Sequence, residues 1–238
     1  MNTLQRPSIW ALSWRSLWRD LRAGDLRLLI VAVALAVAAL TAVGFFADRI
    51  KGGLQRDARQ LLGGDAVISS DNPPAEVFRK KAEALGLAVV ETMGFPTMGR
   101  ASDAQGGASK LVALKAVPAG YPLRGQLTVA SRPGDAGQGT RDIPARGEAW
   151  VDAPLLDALG LGVGDALLLG DSSLRIARLI VNEPDRGAGF MNFAPRVMIH
   201  AGDVAATGLV QPASRVSYRL AVAGADRPVR EFVAWAGE

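Results

Sequence analysis

Residues 28–46, LLIVAVALAVAALTAVGFF, form a run of 19 residues without one charged side chain. At a rise of ~1.5 Å per residue this makes roughly 28 Å of helix, close to the ~30 Å hydrocarbon core of a bilayer. A buried core helix of this length would ordinarily carry polar residues on some face. The apolar region of a cleaved secretory signal runs about 7–15 residues near the start of a chain. Here it begins only at residue 28, after a long basic lead, although a cut after Gly44 is compatible with the residue types. An uncleaved transmembrane helix is the stronger reading.

Charge is distributed around that helix. Residues 1–64 hold nine basic and four acidic side chains, and residues 65–238 hold 18 basic and 19 acidic ones. The net charge of +4 therefore belongs to the membrane-proximal part, and the rest is a near-neutral domain. Basic residues flank the helix on both sides, so the positive-inside count discriminates weakly. The large neutral domain on the C-terminal side favours a cytoplasmic N-terminus.

The lead is itself patterned. At 100° per residue Trp10, Trp14, Leu17, Trp18 and Leu21 fall within one ~100° arc, with Arg15, Arg19 and Arg22 on the adjoining face. Indole rings beside guanidinium groups suit the headgroup layer, where the rings are half buried and the cations meet anionic lipid. Packing of this helix on protein is the alternative. We expect residues 1–27 to be a cytoplasmic interfacial helix, 28–46 the span, and 47–64 a helical stalk.

Beyond residue 64 the pattern is mixed. Strands are predicted at 65–69, 87–98, 110–117, 166–169, 174–182, 196–200 and 215–222. Helices are predicted from Asn72-Pro73-Pro74 to about Leu85, at 154–159 and from Pro228. Residues 131–147, rich in Gly, Pro, Arg and Asp, read as loop. This order predicts an α+β domain over 65–238, with a small β-rich insertion at about 119–210.

Composition removes several chemistries. Without cysteine there is no disulfide framework, Cys-zinc site or thiol nucleophile, and one histidine makes a multi-His metal site impossible. No Gly-x-x-x-x-Gly-Lys-[Ser/Thr] sequence occurs, so no P-loop is expected. Leu169-Gly170-Asp171-Ser172 resembles a hydrolase nucleophile block. However, His200 lacks the partner acid three residues earlier, and the tetrapeptide sits where a hairpin turns. Gly160-Leu161-Gly162-Val163-Gly164 follows a predicted helix and precedes a strand, the reverse of a dinucleotide loop. Nucleic-acid binding through a basic patch drops out, because residues 65–238 are slightly acidic. No cofactor or metal is expected. The loop at 185–195 carries Phe190, Met191 and Phe193 among glycines. These side chains either fold back into the core or offer a contact for a partner or substrate.

The Arg/Trp lead and first helix are followed by Leu61-Leu62-Gly63-Gly64-Asp65, Gly147-Glu148-Ala149-Trp150-Val151, Leu159-Gly160-Leu161 and Val163-Gly164-Asp165. In that order they resemble the FtsX-like or MacB-like ABC transporter permeases over nearly the whole chain. Tyr121-Pro122-Leu123-Arg124-Gly125 and Asn192-Phe193-Ala194-Pro195-Arg196 look more like the subgroup encoded beside a periplasmic lysophospholipase/thioesterase-type esterase. The resemblance implies a non-enzymatic permease subunit in the bacterial inner membrane with a periplasmic MacB-like core domain. It also implies a cytoplasmic ABC ATPase partner, contact with membrane lipids, an esterase partner, and transmission of ATP-driven motion to the outer domain. A hydrophobic or lipid-like compound is the implied cargo. The resemblance also implies further membrane helices, none of which occurs before Glu238, so we expect a fragment or a truncated product. A single-span anchored scaffold or binding domain is the alternative.

Overall fold

The computed structural model describes residues 10, 13–16, 18, 19, 24–186, 193–211 and 214–237. The chain divides into two compact units, residues 1–55 and 56–238.

In the first unit, residues 10, 13–16, 18 and 19 are helical. Helix α1, Asp25–Leu62, begins here and runs unbroken through the apolar segment into the second unit. Alanine, leucine and valine dominate its first half, and no proline interrupts its hydrogen-bond ladder. Its most apolar window is long enough to cross a membrane and none of it is buried against protein. Gly63, at φ +69°, ends the helix in a left-handed conformation that costs glycine little.

The second unit is α+β. Its elements are β1 (Ala66–Ser70), α2 (Glu76–Ala84), β2 (Ala88–Arg100), β3 (Ser109–Val117), β4 (Leu127–Ala130), β5 (Gln138–Thr140) and β6 (Glu148–Asp152). There follow α3 (Ala153–Leu159), β7 (Ala166–Leu169), β8 (Ser172–Asn182), β9 (Arg196–His200), β10 (Ser217–Ala223) and α4 (Asp226–Ala236). The sheet order is β1-β10-β2-β3-β9-β6-β8-β4-β5, with β7 joining β2 to β8.

That last pairing closes a ring. β2, β3, β9, β6, β8 and β7 are hydrogen-bonded in succession and β7 returns to β2, which makes a six-stranded barrel. Two of its pairings, β3 with β9 and β6 with β8, are parallel. The period-2 alternation of strands sends Phe95, Leu114, Ala116, Val151, Ile176 and Val197 inward to one apolar core. Their strand neighbours Gly94, Lys115, Asp152 and Arg196 point outward. A second cluster around Trp150, Met198 and Tyr121 packs on the outside of the barrel. A third lies under α2 and α4, where Phe232 and Leu220 are buried and Phe78 meets Trp235 edge-on at 5.5 Å.

Most predicted elements are present within two or three residues of their expected bounds. The exceptions lie between 119 and 150. β4 and β6 were not anticipated, and β5 falls within the stretch read as loop. Gln138-Gly139-Thr140 has no apolar periodicity and becomes a strand only by pairing with the edge of β4. The residues at 119–210 contribute β4–β9, which join the same sheet as the flanking strands.

Candidate functional site

Lys115 is an outward-facing residue of β3, the one charge in the run from Leu111 to Val117, and it is buried. A buried ammonium needs acceptors for its three hydrogens. It donates to Glu183 Oε1 at 2.7 Å, Asp185 Oδ1 at 2.8 Å and the Tyr121 hydroxyl at 2.9 Å. The Tyr121 hydroxyl in turn donates to Asp185. Glu183 uses its second oxygen to accept from Arg196 Nε at 2.8 Å. Asp152, at the end of β6, accepts from the Arg196 backbone N–H at 2.9 Å and from both Arg186 terminal nitrogens at 3.2 and 2.5 Å. Arg219 of β10 donates to the Asp185 carbonyl at 3.0 Å. The segment 183–186 is thereby strapped across the outside of the barrel by charged groups from β3, β6, β9 and β10.

Electrostatics follow from this packing. Burial opposes ionisation of Glu183, but Lys115 and Arg196 outweigh it and hold the carboxyl below the ordinary glutamate value. Burial pushes the Tyr121 hydroxyl well up, reinforced by Asp185 and Glu183. A carboxyl depressed in the fold adds stability above its unfolded pKa, and that contribution is lost as pH falls through the native value. The unfolding temperature should therefore hold steady from neutrality down to pH 5 and fall below the ordinary value of 4.5. Thermal melts against pH check this. In Glu183→Gln the acid-side slope should be shallower, and an unchanged slope would remove Glu183 from the cause.

A second charged cluster fixes the exit of α1. The Asp65 carboxylate is 1% exposed. It accepts from Arg124 Nη2 at 2.6 Å and Nε at 3.1 Å, and from the Gly224 N–H at 2.9 Å. Arg59, in the last turn of α1, lies 3.5 Å from Asp65 and donates to Asp226 at 2.6 Å. Burial opposes the Asp65 charge, but the Arg124 and Gly224 hydrogen bonds and the Arg59 charge leave its pKa lowered. The two clusters meet at Gly63, where an added Cβ would stand 3.1 Å from the Asp185 carboxyl group.

Beside the strap lies a cavity of about 780 Å³ on the outward side of β10, β2 and β3. Gly94 lies at its floor, paired with Ser217 of β10 and Lys115 of β3. Arg186, Arg196, Arg215 and Arg219 reach it from the sides.

Among the residues singled out from sequence, Trp10, Trp14, Trp18, Arg15 and Arg19 are exposed. Arg22, Phe190 and Met191 lie outside the described residues. Phe193 is 87% exposed, so its ring does not fold back into the core. Ser172 opens β8 beside a tight turn with β7. His200 Nδ1 accepts from the Gly202 N–H at 2.9 Å, and the two side chains share no hydrogen bond. Gly160, at φ +64°, closes α3 as a helix stop. Sequence reasoning passed over Lys115, Glu183, Asp185, Asp152 and Arg186. A lone lysine inside Leu111–Val117, where every neighbour is apolar, was the available signal.

No protein-family model matches the chain. Among solved structures it is similar to the extracellular domain of the noncanonic ABC-type transporter YknZ from Gram-positive bacteria, at TM-score 0.44 and 9% identity, over 70% of this chain and 88% of that one. Among curated proteins it is 33% identical over 221 residues, 93% of its length, to the uncharacterized ABC transporter permease YbbP of Escherichia coli (strain K12). The chain spans about a quarter, 26%, of that relative's length.

Proposed function

We propose that this chain is the entry helix, first membrane span and periplasmic domain of an ABC transporter permease of the FtsX-like or MacB-like kind. The observation that carries the reading is the 33% identity to a permease over 93% of the chain. An unburied apolar helix behind an Arg/Trp lead is consistent with it. On this reading the N-terminus is cytoplasmic in a bacterial inner membrane, and Trp10, Trp14 and Trp18 with Arg15, Arg19 and Arg22 anchor the lead among lipid headgroups. The subunit is not itself an enzyme. A separate cytoplasmic ATPase hydrolyses ATP, and α1 carries the resulting motion outward. The cargo is a hydrophobic, lipid-like compound, delivered toward a periplasmic esterase. Phe190, Met191 and Phe193 supply a partner or substrate contact.

The test is affinity purification of the protein as it occurs in its host membrane. A nucleotide-binding subunit with ATPase activity is expected to come with it, and a preparation that lacks one sinks the permease reading. Replacing Phe190, Met191 and Phe193 together with Ser should lower esterase recovery by about tenfold and leave the ATPase bound. Unchanged esterase recovery would remove those three residues from the contact.

A further inference from the structure

The cavity beside the strap has a chemistry that the permease reading does not use. Five of its lining residues are basic (Lys115, Arg186, Arg196, Arg215 and Arg219) and two are acidic, Asp71 and Asp185. Four of the five are held in place from behind. Lys115 and Arg196 are fixed by Glu183, Arg186 by Asp152, and Arg219 by the Asp185 carbonyl. Held guanidinium groups keep N–H donors in fixed directions, and less conformational freedom is lost when they meet an anion. Counting Glu183 and Asp152 behind the wall, the site still has one basic group in excess. Arg215 stands apart from this network. It is exposed on the approach to β10, and among the described residues it has no hydrogen-bond or ion-pair partner.

The floor is as informative as the walls. Thr92, Gly94 and Pro96 of β2 share the outward face, and Gly94 lies between Ser217 and Lys115 in register. Its backbone does not have a positive φ. A Cβ there would lie 3.4 Å from the Leu114 carbonyl oxygen, at the edge of ordinary contact. Neither backbone conformation nor severe crowding therefore demands glycine. What its missing side chain leaves is depth, in a cavity whose size falls within the ~300–1,000 Å³ of small-ligand sites.

We propose that this cavity binds an anionic group, a phosphate or carboxylate, with Arg215 as the contact not already engaged and Arg186 and Arg219 as held ones, over the Gly94 floor. The same chemistry is carried by the head of an anionic lipid and by a free anion. The inference goes beyond the permease reading and does not depend on it, because binding is read on the chain alone.

The test uses the 238-residue chain in a neutral detergent, titrated calorimetrically at low salt with inorganic phosphate, hexyl phosphate, hexanoate and hexanol. Saturable binding of one equivalent of the anions is expected, with none for hexanol, and added salt should weaken it. Arg215→Gln should weaken hexyl phosphate by about tenfold. Gly94→Leu, which fills the floor, should abolish binding, and exposed Arg132→Gln should leave it unchanged. Because Arg215 is exposed and outside the core, its variant reports on binding even if Gly94→Leu folds poorly. Hexyl phosphate binding more tightly than phosphate assigns the site to a lipid-like anion. Equal affinities assign it to a free anion, and the site stands in either case. Absence of saturable anion binding at millimolar concentration, or binding indifferent to both cavity variants, overturns the proposal and leaves the ATPase experiment untouched.

Discussion

Glu183→Gln is expected to destabilise the domain by about 3–5 kcal/mol, the usual cost of breaking a buried ion pair from one side. The carboxylate uses both oxygens, one for Lys115 at 2.7 Å and one for Arg196 Nε at 2.8 Å. Glutamine matches its volume and offers a single acceptor, so one of the two cations meets an amide N–H₂. Lys115 retains Asp185, but two positive groups then share one fewer counter-charge in a site sealed from water. Asp185 and Tyr121 lose the alignment that Lys115 imposes, and the strap at 183–186 loosens from the barrel wall. Glu148→Gln is the control, because its pair with the exposed Arg175 lies at the surface. That change should cost less than about 1 kcal/mol. Chemical unfolding of both variants, followed by near-ultraviolet circular dichroism, separates the two cases. A loss below 1 kcal/mol for Glu183→Gln would mean that water already reaches the network.

Most of the strands could be read from periodicity, because burial on one face leaves a regular mark in the sequence, and the long helix could be read from its uninterrupted apolar composition. The barrel could not. Its closure depends on β7, four residues long, pairing with β2 only at Gly99 and Arg100. Nothing local in Ala166–Leu169 specifies that partner. β6 escaped notice because the barrel core covers one of its faces and the Trp150–Met198 cluster the other, which hides the alternation. The ionic strap was legible in outline only. Tyr121, Arg124, Asp65 and Arg196 all fall within segments quoted for the family resemblance, yet each also bonds a partner far along the chain: 64 residues for Tyr121 with Asp185, 59 for Arg124 with Asp65, 159 for Asp65 with Gly224 and 13 for Arg196 with Glu183. Residue type alone shows that Lys115 needs acceptors, and the fold supplies their identity.

Asp65→Asn should release the exit of α1 while leaving the barrel folded. The wild-type carboxylate accepts from two nitrogens of Arg124, Nη2 and an Nε shared between both oxygens, and from the Gly224 N–H, and the Arg124 backbone N–H is bonded to the Gly63 carbonyl at 3.1 Å. These contacts tie the turn at 63–65 both to the segment before β4 and to the turn between β10 and α4. Asparagine keeps one acceptor and loses the charge, so either Arg124 or Gly224 is left facing an amide. Arg124 is 41% exposed and recovers part of its hydration. The expected loss is therefore about 1.5–3 kcal/mol, the range for hydrogen bonds to a charged group, and below that for Glu183. Its distribution distinguishes it from a general weakening. Amide exchange at residues 59–65 and at Gly224 should quicken by about tenfold or more, whereas the barrel strands β3 and β9 keep their protection. Uniformly faster exchange across the domain would show that Asp65 supports the whole fold and is not a local fastening of the helix exit. Arg124→Lys offers the complementary reading. It keeps the charge but gives up the two-nitrogen grip on Asp65, and should speed exchange at 59–65 by less than Asp65→Asn does.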